Sequence, residues 1–258
     1  NSYSIAFQIA PRINAAGRMD HANTAYRLLM TADPAEAETL SDEIQQSNVN
    51  RQLLTDTIVA EAKRMLDADR DTPLLAVVGE NWPIGVLGLV ASRLAEQSGK
   101  PVIVGTVAAG TIAASGRSGP NFDLTIPLKE LEGYFSRYGG HRAAGGFALK
   151  DINDWAVVKQ KFIASAAAAT ATGTATPILE IDAVMTLEQA DWALVDDLEK
   201  FEPFGEKNGR PRFGLQRVPV EGVEPLGRDG RHLKLLLKQA NGVVRKLVAF
   251  GSTADFHH

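Results

Sequence analysis

Apolar residues follow two different spacings along the chain, and the spacing changes near residue 170. An unbroken apolar run over 74–78 predicts a buried strand, a helical period over 84–97 predicts a helix, and the run over 101–107 predicts the next strand. A strand, a helix and a strand of these lengths predict a parallel crossover unit. Before residue 170, the pattern also predicts a strand over 111–114, a helix over 125–138, a loop over 139–146, a strand over 147–150 and a helix over 153–169.

The longest predicted helix covers 35–68 and has a polar middle. Asp33-Pro34 begins it well, because proline fits the first helical turn, and neither Gly nor Pro interrupts it. Polar residues such as Arg51 break its apolar stripe in mid-helix. This pattern predicts a connector between two bodies rather than a helix packed along its whole length. A shorter helix is predicted upstream, over 22–30.

The first eighteen residues are predicted to run from a short apolar stretch into a turn. Pro11 restricts the residue before it, and Gly17 marks the end of the stretch. We therefore expect Arg12, Asn14 and Arg18 on a loop rather than inside a helix. Two arginines and an amide on one loop would suit a phosphate group.

A polar, low-complexity segment at 170–177 predicts a domain boundary. The domains expected are therefore 1–70, 71–172 and 173–258. Beyond the boundary, short apolar runs alternate with turns, and Asn241-Gly242 is a strong two-residue hairpin signal. Short strands at this spacing predict a small barrel of the OB type, with strands at 178–185, 212–223, 232–237 and 243–250 and one helix at 187–200.

Composition describes an ordinary globular protein. The 258 residues, 45% hydrophobic and 22% charged, suffice for one large or two modest domains. The absence of cysteine excludes disulfides and thiolate metal sites, and it favours an intracellular, cytoplasmic protein. No apolar run approaches the roughly 20 residues of a membrane helix, and the N-terminus lacks a signal-peptide pattern, so no membrane association is expected.

The net charge of −4 hides a basic stretch near the C-terminus. Over 205–246 the chain has ten Lys or Arg against four Asp or Glu. Such an excess is typical of a module that binds a nucleic-acid strand. The solvated face of an ordinary β-domain is the alternative explanation.

Two glycine-rich segments carry the strongest chemical signal. Ser115-Gly116-Arg117-Ser118 follows the predicted strand over 111–114, and Gly139-Gly140-His141 begins the predicted loop. Glycine lets backbone N–H groups approach an anion, and arginine beside hydroxyl groups adds a bidentate, permanently charged partner. The first segment alone is better explained as a structural or surface turn. Because a histidine among glycines has little to pack against, the pair together predicts one anion-binding site.

These segments and several others resemble RecJ-type single-stranded-DNA exonucleases. The similar parts of those proteins are their DHH-associated domain and their C-terminal domain. The resemblance covers nearly the whole chain. One departure is Trp82-Pro83-Ile84, where many relatives have a histidine, so no role of that imidazole is carried over. The matching motifs are 10–19, 85–94, Ser115-Gly116-Arg117-Ser118 with Phe122-Asp123-Leu124, Gly139-Gly140-His141 with Ala143-Ala144-Gly145, 202–208 and 232–235.

The resemblance implies a mixed-sheet α/β DHH-associated domain with flanking helices, preceded by a long connecting helix and followed by a small OB-type barrel. RecJ-type proteins carry their metal ligands in a DHH domain, and the Asp-His-His motif of that domain does not occur here. We therefore expect a C-terminal fragment that binds no metal and is inactive alone, with Mn or Mg in the absent DHH domain. Asp20 and His21 have no further ligand at helical spacing, so helix capping by Asp20 explains them better than metal ligation.

The resemblance also implies a role in DNA repair and recombination, as the half of a 5′→3′ exonuclease that holds the strand. Arg117 with Ser115 and Ser118, helped by Arg18, is expected to bind a 5′ phosphate, and His141 to contact the terminal nucleotide or the scissile group. The barrel would hold the strand further along, and a single-strand-binding protein or a helicase is a family expectation. The expected DNA-binding residues are Arg12, Asn14, Arg18, Ser115, Gly116, Arg117, Ser118, Gly139, Gly140, His141, Phe204, Arg228, Arg231 and Lys234.

Two other functions stay open. A small-nucleotide phosphodiesterase of the same superfamily shares the Gly-Gly-His loop, but such proteins generally lack a following barrel, and the basic stretch counts against it. A non-catalytic replication or repair scaffold is the second alternative, and an intact Asp-His-His motif in the parent gene would exclude it.

Overall fold

The computed structural model describes residues 3–19, 21–69, 71–119, 121–171, 178–205, 207–227, 230 and 232–250. The chain divides into two compact units that meet in sequence at Pro177 and Ile178. The first unit combines helices with a five-stranded sheet, and the second is mainly β. We call them the α/β unit and the OB unit. In the described residues, no helix is both long enough and apolar enough to cross a membrane.

Helices form the beginning of the α/β unit. A π-helical turn at Ser4–Ile9 leads into α1 at Ala10–Met19, and α2 follows at Asn23–Met30. The prediction of a loop at Arg12, Asn14 and Arg18 is therefore wrong, since all three lie in α1. Pro11 lies where the π-helical turn gives way to α1. Proline cannot donate a backbone hydrogen bond, but at this junction the missing bond does not break the middle of either helix.

Helix α3, at Pro34–Met65, joins two apolar clusters. Asp33 caps it by accepting a hydrogen bond of 2.9 Å from the backbone N–H of Ala35. Ile44 packs near α1 and α2, whereas Ile58 packs in the cluster beneath the sheet. Between these two clusters lies the polar middle, where Asn48 is buried.

The sheet has the predicted crossover unit at one edge. Strand β1 pairs in parallel with β2, and α4 connects them, whereas all other neighbours in the order β1-β2-β3-β5-β4 are antiparallel. The mixed sheet with flanking helices is thus confirmed. Its elements are β1 Leu75–Glu80, α4 Ile84–Ser98, β2 Val102–Ala108, β3 Thr111–Arg117, α5 Thr125–Glu130, β4 Phe135–His141, β5 Ala144–Leu149 and α6 Trp155–Ala171.

The two faces of the sheet bury different clusters. Val102 and Val104 of β2 pack with α3 and α4, whereas Ile103 between them packs with residues of α5 and α6. This is the alternation that a strand covered on both faces requires. The sheet therefore separates an α3/α4 face from an α5/α6 face.

The predicted helix over 125–138 is confirmed only for its first part, 125–130, and the predicted loop over 139–146 is wrong. Helix α5 ends at Glu130, and the chain then forms the β4–β5 hairpin. Phe135 explains the strand, because its buried ring stacks on Phe147 of β5 at 4.6 Å between centroids. Cross-strand packing of this kind overrides local helix propensity.

The OB unit contains a three-stranded antiparallel sheet in the order β10-β9-β8 and a parallel pair of two short strands. The small β-region is thus confirmed, and the Asn241-Gly242 hairpin turn is present, with Gly242 at φ +87°. The strands predicted at 178–185 and 212–223 are shorter or shifted. The elements are β6 Ala183–Val184, α7 Trp192–Glu199, β7 Phe213–Gly214, β8 Val220–Leu226, β9 His232–Lys238 and β10 Val244–Ala249.

Candidate nucleic-acid interface

The α3/α4 face of the sheet carries both glycine-rich segments. Cross-strand pairing aligns Arg117 of β3 with Ala144 of β5 and His141 of β4, and it aligns Ser115 with Gly146 and Gly139 in the next row. Paired residues point to the same face, and neighbouring strands lie about 4.8 Å apart, so Arg117 and His141 are about 10 Å apart at the backbone. The two segments predicted to act together therefore share one face.

Helix α4 covers the inner strands of this face and leaves the outer ones exposed. It packs on β2 and β3, whereas the β4 residues from Ser136 to His141 are exposed. A cavity of about 310 Å³ lies here and is lined by residues of α4, β3, β4 and β5. Among its lining residues are Ile84, Arg137, Tyr138, Gly139, Gly146 and Phe147.

Arg117 is half-buried between β3 and α4. Its Nε donates a hydrogen bond of 2.8 Å to Ser92 Oγ, and its Nη1 donates one of 2.9 Å to the Gly116 carbonyl. A Cβ atom on Gly88 would lie 3.0 Å from Arg117 Nη2, so the glycine of α4 makes room for the guanidinium. Burial lowers the pKa of Arg117, and the positive charge of Arg18 lowers it further.

Arg18 approaches the same place from the last turn of α1. Its Nη1 donates a hydrogen bond of 3.2 Å to the Gly85 carbonyl at the start of α4. A Cβ on Gly85 would lie only 2.2 Å from the Arg18 carbonyl oxygen, so the contact between α1 and α4 requires glycine. Gly85 and Gly88 are one helical turn apart, which brings Arg18 and Arg117 to the same end of α4.

Helix α1 separates Arg12 from the other predicted residues of this segment. Arg12 and Arg18 are six residues apart, which places them about 120° apart around a helix. Arg12 instead donates hydrogen bonds to Gln45 of α3 and to the Gln8 carbonyl. Asn14 is exposed one turn before Arg18. The structure therefore groups Arg18 with Asn14 and places Arg12 elsewhere.

The two predicted serines have different surroundings. The Ser118 hydroxyl shares its single hydrogen between the carbonyls of Gly119 and Phe122, and its backbone N–H donates to the Ala143 carbonyl. Ser118 thus holds the loop after β3 against the β4–β5 hairpin. Ser115 is half-buried, and within the described residues its hydroxyl has no hydrogen-bond partner.

Gly140 and His141 lie where β4 turns into β5. Gly140 has φ +151°, and a Cβ there would lie 2.4 Å from the Ala144 carbonyl oxygen, so the hairpin requires glycine. At Gly139, a Cβ would meet no atom within 4 Å, in keeping with the open face. His141 is exposed, and its Nδ1 accepts a hydrogen bond of 3.3 Å from the Ala143 N–H.

Arg51 is a cation near this site that was absent from the predicted set. It lies in the polar middle of α3, and its Nη2 donates a hydrogen bond of 3.1 Å to the buried Asn48 side chain. Burial lowers the pKa of Arg51, and the charges of Arg18 and Arg93 lower it further. The signal was present in the sequence as an arginine on an otherwise apolar helical stripe.

The predicted strand-binding residues of the OB unit have partners of their own. The Phe204 ring lies 5.0 Å from the Arg210 guanidinium, and Lys234 forms a 2.7 Å ion pair with Glu224. Arg228 and Arg231 lie outside the described residues. Sequence reasoning missed Trp192, which is 81% exposed at the start of α7.

Comparisons with known proteins agree with this architecture. Residues 71–172 match the family model of the DHHA1 domain, and residues 181–258 match that of the RecJ OB domain. The chain is a RecJ-like protein. Its DHHA1 domain contains the sheet, and its RecJ OB domain contains the C-terminal strands.

Full-length relatives of this RecJ-like chain are much longer. The single-stranded-DNA-specific exonuclease RecJ of Bacillus subtilis is 31% identical over 92% of this chain, which spans 30% of that relative. The protein of the same name from Thermus thermophilus is 34% identical over 91% of this chain, which spans 33% of it. The crystal structure of RecJ from Thermus thermophilus with Mg²⁺ superposes with a TM-score of 0.79 at 33% identity, and the match covers 96% of this chain and 37% of that one.

Metal ions occur in solved RecJ structures, with Mg²⁺ in one and Mn²⁺ in another. In this RecJ-like chain, the described residues contain no group of three or more His, Cys, Asp or Glu side chains placed to hold a metal ion. Asp20 lies outside the described residues. We assign no metal-binding residue to the described part of the chain.

Proposed function

We propose that this RecJ-like chain holds single-stranded DNA by its 5′ phosphate, as the strand-binding part of an exonuclease used in DNA repair and recombination. Relatives over most of the chain are named single-stranded-DNA-specific exonucleases. The chain spans about a third of their length. In this proposal, a DHH domain outside the chain holds Mg²⁺ or Mn²⁺ and hydrolyses the phosphodiester bond.

The observation that carries the proposal is the pair of arginines at the end of α4. In the described part of the chain, neither Arg18 nor Arg117 contacts a carboxylate, although their charges are close enough for Arg18 to lower the pKa of Arg117. Two guanidinium groups without counter-charges favour a bound anion, and their planar forks suit phosphate oxygens. The free Ser115 hydroxyl adds a donor on the same face.

The rest of the α3/α4 face provides space for the nucleotide that follows the phosphate. The paired Gly139 and Gly146 leave one row of the outer strands without side chains, and both line the cavity of about 310 Å³. His141 is exposed on the same face as Arg117 and within reach of a bound terminal nucleotide. A 5′ phosphate fixed at one end of this face would position the first phosphodiester bond for a hydrolytic centre, because orientation removes part of the entropic barrier.

The OB unit is proposed to hold the strand further from the 5′ end. Phe204 supplies an aromatic face for base stacking, and Lys234 a cation on the three-stranded sheet. Exposed Trp192 is a second aromatic candidate. Because Lys234 is already paired with Glu224, stacking on Phe204 should contribute more than the charge of Lys234 does.

The test compares oligonucleotides that differ only in a 5′ phosphate. In a fluorescence-anisotropy titration, the wild-type chain is expected to bind the phosphorylated strand about tenfold more tightly than the 5′-hydroxyl strand, since charge-assisted hydrogen bonds are worth roughly 1.5–3 kcal/mol. Arg117→Ala should abolish this preference. Arg64→Ala, which removes an exposed arginine from α3, should retain it.

Equal affinity of the wild-type chain for both strands would contradict the proposal. A competition series separates it from a small-nucleotide phosphodiesterase. Phosphorylated oligomers should displace the bound strand at much lower concentration than mononucleotides do, because only oligomers reach beyond the phosphate site.

A further inference from the structure

Arg137 is a further cation on the α3/α4 face, and the function proposed above does not use it. It lies in β4, which is an edge strand of the sheet. Its side chain is exposed, and in the described part of the chain it forms no hydrogen bond and no ion pair. Arg137 also lines the cavity of about 310 Å³. A positive charge without a protein partner therefore borders this cavity.

A β-bulge in β4 directs the Arg137 side chain to the α3/α4 face. The register shifts between Phe135 and Arg137, so that Phe135 pairs with Leu149 whereas Arg137 pairs with Ala148. Phe135 is buried in the cluster on the α5/α6 face. In a regular strand, residues two apart share one face, and Arg137 would then point into that apolar cluster. The extra residue of the bulge reverses the alternation and turns Arg137 to the open side.

Arg137 and Arg117 lie at opposite ends of this face. Pairing is regular from Arg137 to His141, so both residues, and Gly139 between them, point to the same side. Arg117 belongs to the His141 row. Four residues along β4 span about 13 Å and two strand spacings about 10 Å, which puts Arg137 about 16 Å from Arg117 at the backbone. Because side chains stand roughly perpendicular to a sheet, the two guanidinium groups mark two separate anion positions.

The surface between the two arginines is flat and partly apolar. Gly139 pairs with Gly146 in the row next to Arg137, and neither residue adds a side chain. Ile84, at the start of α4, is 49% exposed and lines the same cavity. An apolar wall beside bare backbone suits a sugar or a base, and a cation on each side suits the phosphates that flank it.

Building on the function proposed above, we infer that Arg137 binds an internal phosphodiester of the strand whose 5′ phosphate lies at Arg117. A mononucleotide has no phosphodiester and occupies only the Arg117 end of the face, whereas an oligonucleotide occupies both ends. The second contact strengthens the first because it forms within one bound molecule. Arg137 thus selects strands over mononucleotides without reading their sequence, since phosphate contacts position a strand and base contacts specify it.

The test removes one charge from the protein and one from the DNA. A neutral methylphosphonate replaces, in turn, each linkage near the 5′ end of a 5′-phosphorylated strand, and anisotropy titrations use the whole chain. In the wild type, one linkage should lower the affinity about fivefold when it is neutralised. Arg137→Gln should bind the unmodified strand about fivefold less tightly, and the same methylphosphonate should then change its affinity less than about twofold.

Two further variants control for charge and for folding. Arg137→Lys should keep most of the wild-type affinity, because an ammonium group also neutralises a phosphate. Arg64→Gln, which removes an exposed arginine from α3, should match the wild type with every strand.

Salt dependence and mononucleotide binding supply readouts that a purely structural role of Arg137 would not produce. The slope of log affinity against log salt concentration should become shallower by about 0.7 in Arg137→Gln, as expected for one lost phosphate contact on a single strand. The affinity of Arg137→Gln for a 5′-mononucleotide should stay within about twofold of the wild type. An equal loss for mononucleotide and strand would contradict the inference.

The outcomes separate this inference from the function on which it depends. If Arg117→Ala loses the 5′-phosphate preference and Arg137→Gln binds every strand as the wild type does, the role of Arg137 is wrong and the proposed function stands. If the wild type shows no 5′-phosphate preference, the proposed function is wrong, and the methylphosphonate series then tests Arg137 by itself. Equal effects of every methylphosphonate on the wild type and on Arg137→Gln would contradict the contact in either case.

Discussion

The α/β unit and the OB unit both carry basic residues, but they surround them differently. In the α/β unit, Arg18, Arg51 and Arg117 have no carboxylate contact in the described residues, and Arg51 and Arg117 are half-buried. In the OB unit, Lys234 pairs with Glu224 at 2.7 Å and Arg210 with Glu202 at 3.4 Å. Residues 178–258 contain eleven Lys or Arg but thirteen Asp or Glu.

This comparison shows that a run of basic residues is a poor guide to which cations are available to a ligand. The basic stretch at 205–246 is the most obvious charge feature of the sequence, yet its described cations differ: Lys234 and Arg210 pair with carboxylates, whereas Arg217 and Lys238 contact none in the described residues. Arg18, Arg51 and Arg117 lie far apart in the sequence, and no local excess of positive charge marks them. Folding brings them together without counter-ions, and an unpaired, partly buried charge interacts more strongly with a ligand than an exposed, paired one.

The largest expected effect comes from removing two charges in each unit. Arg18→Gln with Arg117→Gln should weaken binding of a 5′-phosphorylated strand about a hundredfold at low salt, because two charge-assisted contacts are lost. Arg210→Gln with Lys234→Gln should weaken it less than about threefold, since both cations are already paired. Anisotropy titrations measure both affinities. Comparable losses in the two double variants would mean that the two basic regions do not differ as described.

A smaller effect is expected from displacing Arg117 without removing its charge. In Gly88→Leu, the new side chain occupies the space of Arg117 Nη2, which lies 3.0 Å from the position of the new Cβ. We expect about tenfold weaker binding of the phosphorylated strand and only a modest loss of stability, because the gain in helix propensity of roughly 0.5–1 kcal/mol offsets part of the cost of displacing Arg117 from its hydrogen bonds.

Gly133→Leu is the matched control for this variant, because a Cβ at that position meets no atom within 4 Å. Circular-dichroism melting curves of both variants show whether the fold is retained. Wild-type affinity in a folded Gly88→Leu protein would argue that the position of Arg117 does not matter for binding.

The smallest expected effect concerns the ion pair of the OB unit. The hydrogen bond and charge of Lys234 lower the pKa of Glu224. A lowered carboxyl pKa stabilises the folded state above the unfolded pKa near 4.5, and this contribution disappears as the pH falls through the lower, folded-state pKa. Because the pair is exposed, Lys234→Gln should lower the melting temperature by no more than about 2 °C at pH 7.

Melting curves recorded from pH 7 to pH 3 check this prediction. The difference between wild type and Lys234→Gln should shrink as the pH falls below about 4.5. A difference that persists unchanged at pH 3 would show that Lys234 contributes through packing of its side chain rather than through Glu224.

The elements that sequence reasoning predicted well are those whose signal is local and strong. The apolar run of β1, the periodicity of α4 and the apolar run of β2 specify the crossover unit, and Asn241-Gly242 specifies its hairpin turn. The errors fall where tertiary contacts outweigh local preference. Strand β4 exists because Phe135 packs on Phe147, a partner twelve residues away in the chain.

The sequence by itself determined the family, the mixed sheet and the two glycine-rich segments, because motifs and periodicity are properties of neighbouring residues. Only the tertiary structure decided how the cations are grouped. It moved Arg12 away from Arg18 by placing both on one helix, and it brought Arg51 near them by packing α3 against α1 and α4. Charge interactions depend on distance and burial in space, and neither quantity can be read from separations along the chain.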